Sequence, residues 1–332
     1  MSKKILITGG MGYIGSHTAV SLVSEGYYPI LFDNLSNSRL EVLDALNSIT
    51  KEKLVFVHGD ICDKKKLIEV MTEFHIDAVI HFAGLKAVGE SVVKPLFYYE
   101  NNVGGTITLL NAMKECNVKK IVFSSSATVY GEPKYLPLDE SHHRSATNPY
   151  GQSKIFIEKI LEDIALYQGF SVVNLRYFNP VGAHKSGLIG DNPLNIPNNL
   201  MPYIAQVSTG KLDKLSIFGF DYNTPDGTGI RDYVHVVDLA EAHIKALEYI
   251  MNNDGISSFN IGTGQGYSVL EVIRSYEIAS GKSIPFKFHD RRPGDISECY
   301  ASAEKANRIL GWKAKYNLED MCLSSWVFEQ NK

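Results

Sequence analysis

The chain has 332 residues, 44% of them hydrophobic and 21% charged, with a formal net charge of −4. That much apolar side chain can fill one large core or two joined ones, and the mildly acidic balance excludes an extended basic footprint for nucleic acid. Four cysteines are too few for a disulfide scaffold, and the few apolar residues before Gly9 are too short for a signal-peptide core or a membrane span, so a cytoplasmic protein with reduced thiols and no membrane partner is expected.

Ile5-Leu6-Ile7 opens the chain as a short apolar run, and Thr8-Gly9-Gly10-Met11-Gly12-Tyr13-Ile14-Gly15 follows it. Gly10, Gly12 and Gly15 fit G-x-G-x-x-G, and Gly9, Gly12 and Gly15 fit G-x-x-G-x-x-G. Backbone without side chains can turn tightly and approach a pyrophosphate, and the free amides at the start of the next helix bind the anion. A glycine triplet alone is weak; a strand before it and an amphipathic helix after it, here Gly12 to Gly26, raise its weight. A second run, Ile30-Leu31-Phe32, ends at Asp33, 18 residues after Gly15. A carboxylate there accepts from adenosine ribose hydroxyls and repels a 2′-phosphate, which favours NAD over NADP.

Leu54-Val55-Phe56-Val57 is the third run, closed by Asp60-Ile61. Lys64, Lys65 and Lys66 then open an apolar-periodic stretch and read as a solvated helix face. Ala78-Val79-Ile80 is the fourth run, closed by Phe82-Ala83-Gly84, and a helix is expected over roughly Leu96 to Glu115. Ile121-Val122-Phe123 leads into Ser124-Ser125-Ser126. A helix from Pro149 to Gly169 and a run at Val172-Val173-Asn174-Leu175 complete the pattern. Short β-branched runs alternating with helices give a doubly wound α/β domain around a parallel sheet, expected over residues 1–180. Past Pro180 the texture changes: residues 181–229 are rich in Asn, Pro and Gly with no strand–helix beat. A second, smaller substrate-binding lobe is expected over 181–332, with Arg231 to Leu247 reading as a strand and helix able to return to the first lobe.

The chemical signal lies in Asn148-Pro149-Tyr150-Gly151-Gln152-Ser153-Lys154. Asn148 can cap a helix with Pro149 in its first turn, which puts Tyr150 and Lys154 four apart on one face. A free phenol, with a pKa of about 10, is a poor base at neutral pH, and a nearby ammonium favours its phenolate. Tyr150 could then accept a proton from a sugar hydroxyl, helped by a strand-end serine 24 residues earlier, Ser126. His142, His143 and the other histidines show no metal spacing, and no metal is expected.

These features together resemble the extended short-chain dehydrogenase/reductase family, with its Rossmann fold. The strings His81–Ser91, Ser124–Gly131, Arg176–Ala183, Pro197–Tyr203 and Gly229–Val236 are similar to the branch of that family that epimerises UDP-hexoses, and the likeness covers nearly the whole chain. The resemblance implies a tightly held NAD, inversion at sugar carbon 4 through a 4-keto intermediate, a place in galactose metabolism and a homodimer. It implies cofactor contacts from Gly9, Gly12, Tyr13, Ile14, Gly15, Asp33, Asn34, Leu35, Ser36, Asn37 and Ser38. Further along, Asp60, Ile61, Phe82, Ala83, Gly84, Leu85, Lys86, Asn101 and Phe178 join them, with Ser126, Tyr150 and Lys154. For the UDP-sugar it implies Ser126, Ala127, Thr128, Tyr150, Asn179, Asn199, Leu200, Ser216, Ile217, Phe218, Arg231, Arg292, Asp295 and Cys299.

Arg231 and Arg292 suit this role because a guanidinium can fork onto diphosphate oxygens. Where Cys299 stands, relatives restricted to UDP-glucose and UDP-galactose carry a bulky tyrosine; the smaller wall leads to the expectation that UDP-GlcNAc and UDP-GalNAc are accepted too. Three rivals remain at this point. A dehydratase of the same fold would need a carboxylate pair after the strand-end hydroxyl, where Ala127 and Thr128 stand. A net dehydrogenase would release NADH. A non-catalytic dinucleotide sensor would have no use for Tyr150 with Lys154.

Overall fold

A computed structural model describes residues 2–194, 197, 199–292 and 294–332. Asn198, inside the string Pro197–Tyr203, and Pro293, next to Arg292, lie outside the described residues. The apolar runs form strands β1 (Lys4–Thr8), β2 (Tyr28–Asp33), β3 (Val55–His58), β4 (Ala78–His81), β5 (Lys120–Ser126) and β6 (Ser171–Tyr177). Between them lie helices α1 (Tyr13–Ser24), α2 (Val42–Thr50), α3 (Lys64–Phe74), α4 (Val88–Val93), α5 (Pro95–Tyr98), α6 (Gly105–Glu115) and α7 (Pro149–Gln168). The helix expected over Leu96–Glu115 is interrupted: residues Tyr99–Gly104 take a π turn before α6 begins.

All pairings in the main sheet are parallel, in the order β10-β6-β5-β4-β1-β2-β3, where β10 is Ile256–Ile261. This is a doubly wound Rossmann sheet. Successive side chains alternate faces, so Ile5 and Ile7 join one core while Leu6 joins the other. The first core is closed by α1, α2 and α9 (Val236–Asn252) through Leu22, Leu46, Leu239 and Leu247; the second is closed by α3, α6 and α7 through Leu67, Leu109 and Leu161. The strand order reverses between β1 and β4, and the crevice beyond the carboxyl ends of these strands is where ligands bind in such sheets.

The remaining strands are β7 (Asn179–Val181), β8 (Leu215–Phe218), β9 (Ile230–His235), β11 (Gly266–Ser268), β12 (Phe286–His289) and β13 (Glu298–Cys299). β9 pairs with β7, β11 and β13, and β8 pairs with β12. A separate core of Ile204, Leu215, Ile217, Val272, Tyr276 and Met321 joins these strands to α8 (Leu200–Ser208), α10 (Val269–Ser280) and α12 (Leu318–Gln330). The stretch 181–229 therefore holds a helix and a strand that its composition did not announce. Helix α9 packs on α1, and β10 extends the main sheet, so the sheet body draws on two separated parts of the chain.

Candidate active site

The turn from β1 into α1 is built by contact distances that only glycine allows. Gly9 has φ +71°, and a Cβ there would lie 2.8 Å from the Ala83 nitrogen; a Cβ on Gly15 would lie 2.2 Å from the Gly9 oxygen. On Gly12 it would meet only the Gly9 oxygen, at 3.2 Å, so that side of the turn faces open space. Gly12 is the N-cap of α1 and offers no side chain to its first amides. Orphan amides at a helix start beside open space form an anion cradle, and the residues present fit a dinucleotide pyrophosphate.

Asp33, 8% exposed, binds this cradle to the loop that follows β2. Its Oδ2 accepts from the Met11 amide at 3.1 Å, and its Oδ1 accepts from the Leu35 amide and the Ser38 hydroxyl, each at 2.8 Å. The carboxylate thus has a structural task beside any contact with a ribose. Asn34 donates to Asp60 at 2.7 Å, and Asp60 also accepts from the Cys62 amide at 2.8 Å. Burial works to raise the Asp60 pKa, but those two bonds outweigh it and the carboxyl stays below its ordinary value.

Asn101 donates at 2.9 Å to Asn102, whose importance the sequence reading missed. Asn102 is 2% exposed, accepts from the Leu85 amide at 2.8 Å, and donates to the Leu85 carbonyl at 3.0 Å and to Ser153 at 3.3 Å. It fastens the loop after β4 to the start of α7. Its place in a π turn, a feature often found at functional sites, is the signal that a sequence pattern of period 3.6 conceals. The Phe82 ring lies 4.6 Å from that of His243 on α9, tilted by 49°, and Lys86 is exposed.

Asn148 caps α7 by accepting from the Gly151 amide at 2.9 Å, worth about 1 kcal/mol of helix stability. A Cβ on Gly151 would lie 2.8 Å from the Thr128 oxygen, so only glycine lets α7 approach the short 3-10 helix Ala127–Val129 this closely. Lys154, 5% exposed, donates to the Ser124 carbonyl at 2.7 Å, with its ammonium 4.7 Å from the centre of the Phe123 ring and 5.8 Å from that of Tyr150. Burial lowers its pKa to about 8, against an opposing pull from the Glu158 carboxylate.

Ser126 accepts from the Thr128 amide at 3.2 Å and from the Thr128 hydroxyl at 3.0 Å. With both lone pairs engaged, its own hydrogen is left to donate. The phenol of Tyr150 is pushed above its ordinary pKa by burial, with the Ser126 hydroxyl pulling it down. This corrects the expectation that Lys154 lowers the phenol. Desolvation outweighs the Ser126 bond, and Lys154 is not among the groups that lower this phenol.

Asn179 lies on β7, Asn199 stands at the N-cap position of α8 ahead of Leu200 without a side-chain capping bond, and Ser216, Ile217 and Phe218 lie on β8. Arg231 spends its Nη groups on main-chain carbonyls: Nη1 on Ile230 at 2.8 Å and Ser297 at 3.3 Å, Nη2 on Ile296 at 2.8 Å. Arg292 pairs with Asp295 through bonds of 2.8 and 3.3 Å and lies 5.0 Å over the Phe218 ring. Two side chains expected on the substrate therefore hold each other. Cys299 is opposite Arg231 across the β9–β13 pairing and packs against the small core of Val129, Tyr130, Leu138, Phe178 and Ala301. Burial raises its thiol to about 11, so it is neutral. Among the described residues, no group of three or more His, Cys, Asp or Glu side chains could hold a metal ion, and no helix is long and apolar enough to cross a membrane.

The family model described as GDP-mannose 4,6 dehydratase matches residues 6–324. A UDP-glucose 4-epimerase of Bacillus subtilis (strain 168) is 56% identical over 328 residues, which span 98% of this chain and 97% of that protein. A UDP-glucose 4-epimerase of Bifidobacterium longum, solved with NAD+ and UDP, superposes with TM-score 0.96 at 51% identity, covering 99% of this chain and 98% of that one. The UDP-glucose 4-epimerase of Stenotrophomonas maltophila, solved with NAD and formylated UDP-arabinopyranose, superposes with TM-score 0.97 at 47% identity, covering 99% and 98%.

Proposed function

The chain belongs to the UDP-glucose 4-epimerases of the extended short-chain dehydrogenase/reductase family, and from that membership we infer that Tyr150, Lys154 and Ser126 do its chemistry. The enzyme is an NAD-dependent isomerase that interconverts UDP-glucose and UDP-galactose at sugar carbon 4. The observation that carries the residue assignment is Ser126 left as a donor toward Tyr150, with Lys154 fixed one helical turn on.

Bound NAD supplies a hydride acceptor that later gives the hydride back and, when oxidised, a positive charge. Gly9, Gly12 and Gly15 with the first amides of α1 would hold its pyrophosphate, and Asp33 its adenosine ribose. Tyr150 takes the proton from the 4-hydroxyl as that carbon is oxidised, and returns it when the carbon is reduced. Ser126 would donate to the phenolate or to the sugar oxygen, and Lys154 would bind the nicotinamide ribose. Burial holds this phenol above its ordinary value, and the added positive charge of the loaded site would favour its phenolate and so activate the base.

Arg231, Arg292, Asp295, Asn179, Asn199, Leu200 and Phe218 would bind the UDP part, so that the ketosugar can turn over without leaving. For that, the Arg292–Asp295 pair opens and each partner takes a substrate group instead. A dehydratase has no support here despite the family model's description, because Ala127 and Thr128 carry no carboxylate. Cys299, small, neutral and packed against the core that contains Phe178, supports room for a 2-acetamido group and hence acceptance of UDP-GlcNAc and UDP-GalNAc.

Neighbouring helices α4, α5 and α7 leave Val92, Val93, Leu96, Phe97 and Phe156 exposed, an apolar surface that a second copy of the chain would cover. We place this homodimer in the cytoplasm, where free Cys62, Cys116, Cys299 and Cys322 stay reduced. Incubation with each UDP-sugar, without added NAD and with analysis of the products, tests the reading: epimer formation supports it, and steady NADH release contradicts it.

A further inference from the structure

Strand β5 presents three consecutive serines, and the side chain of the middle one turns toward α7. Ser125 is opposite Arg176 in the β5–β6 pairing, and both side chains reach Glu158 on α7. Ser125 Oγ donates to Glu158 Oε1 at 2.6 Å, Arg176 Nε donates to the same oxygen at 2.9 Å, and Arg176 Nη2 donates to Oε2 at 2.7 Å. Arg144 Nη1 adds a fourth bond at 2.9 Å. Ser125 and Glu158 are each 0% exposed, and Arg176 is 4% exposed.

A buried ion pair is a poor choice for stability alone, because apolar side chains of similar volume often serve as well or better. Ile157 and Leu161, the buried apolar neighbours of Glu158 on the same helix, show that this surface accepts apolar side chains. What a carboxylate adds is register. Tyr150, Lys154 and Glu158 are spaced by four on one face of α7, while Ser124, Ser125 and Ser126 are consecutive on β5. The Glu158 bonds therefore fix helix against strand one turn beyond the Lys154 bond to the Ser124 carbonyl.

We propose that Glu158, held by Ser125 and Arg176 on adjacent strands, is a positioning residue that sets α7 in register with β5, and so keeps Tyr150 beside Ser126 and Lys154 on the Ser124 carbonyl. This rests on those three residues being the reacting set. Glu158 touches no substrate atom; it acts through the geometry of others.

Ser125→Ala is the gentle test, because Glu158 Oε1 keeps its bond from Arg176 and the fold is retained. The expected result is a kcat lower by about tenfold, in the way small misplacements act on oriented groups, with KM and bound dinucleotide unchanged, and recovery in Ser125→Thr. Glu158→Gln, which keeps the shape but not the charge, should lower kcat further. Wild-type kcat in Ser125→Ala, or a loss that only tracks lost dinucleotide, overturns the proposal. Tyr150→Phe run in parallel separates the two layers: if it turns over normally the reacting set is wrong, whereas if it is inactive while Ser125→Ala is normal only the positioning role fails.

Discussion

Thr128 gives Ser126 two hydrogen bonds, from its amide at 3.2 Å and its hydroxyl at 3.0 Å, and so leaves Ser126 no role but donor. A serine that can only donate suits an oxygen that is gaining negative charge.

The first prediction concerns the base. Tyr150→Phe removes the proton acceptor and little else, and turnover should fall by roughly 10²–10⁴-fold, the usual worth of a positioned general base. Dinucleotide released on denaturing the purified variant should equal that of the wild type.

Lys154 gives a pH dependence with a definite sign. Its pKa is lowered by burial to about 8, so its charge, and with it kcat/KM, should fall as pH rises through that value in protein whose other groups are unchanged. Lys154→Met should lose turnover on the order of 10²-fold and show no such alkaline limb; a limb that persists in the variant assigns it to another group.

Much of this was legible in the chain. The parallel strands declared themselves as short apolar runs, and the glycine turn, Asp33 and the Tyr150–Lys154 spacing sit on the elements expected for them. What escaped was decided by tertiary contact. β10 reads Ile-Ser-Ser-Phe-Asn-Ile and, among the described residues, is an edge strand paired with β6 alone, so its polar residues hid it. Helix α8 begins among Asn and Pro residues that read as loop. The carbonyls that hold Arg231 and the burial that raises Tyr150 come from distant segments, and no local pattern encodes them.

Asp33 predicts a compound effect. Asp33→Ala should loosen both the glycine turn and the loop at 35–38, since Met11, Leu35 and Ser38 lose their acceptor. The fraction of protein purified with dinucleotide should drop, with affinity weaker by about 1–3 kcal/mol. An unchanged fraction contradicts the role.

Cys299→Tyr should abolish turnover of UDP-GlcNAc while UDP-galactose turnover remains within severalfold. Parallel assays of both sugar pairs decide it, and full retention of acetylated-sugar turnover removes the wall argument.

Buried histidines predict acid sensitivity of the fold. Burial depresses His17 and His81 to about 3 and His235 and His243 to about 4, below the ordinary value of 6.5. The unfolded chain then binds more protons between about pH 4 and 6.5, so stability is full above 6.5 and is lost on acidification, by up to about 1.4 kcal/mol per pH unit for each group. Asp238, raised to about 6 by burial, acts in the opposite direction as pH falls from 6 and offsets part of the loss. Chemical denaturation between pH 4 and 7 should show the decline; a flat profile contradicts it.

The central claim is that one carbon is oxidised and then reduced from its other side with the same hydride. The most direct measurement supplies UDP-glucose deuterated at sugar carbon 4 to the purified enzyme in ordinary water, without added dinucleotide, and reads the label in the UDP-galactose formed. The account predicts deuterium retained at carbon 4, and a product carrying solvent hydrogen there would contradict it.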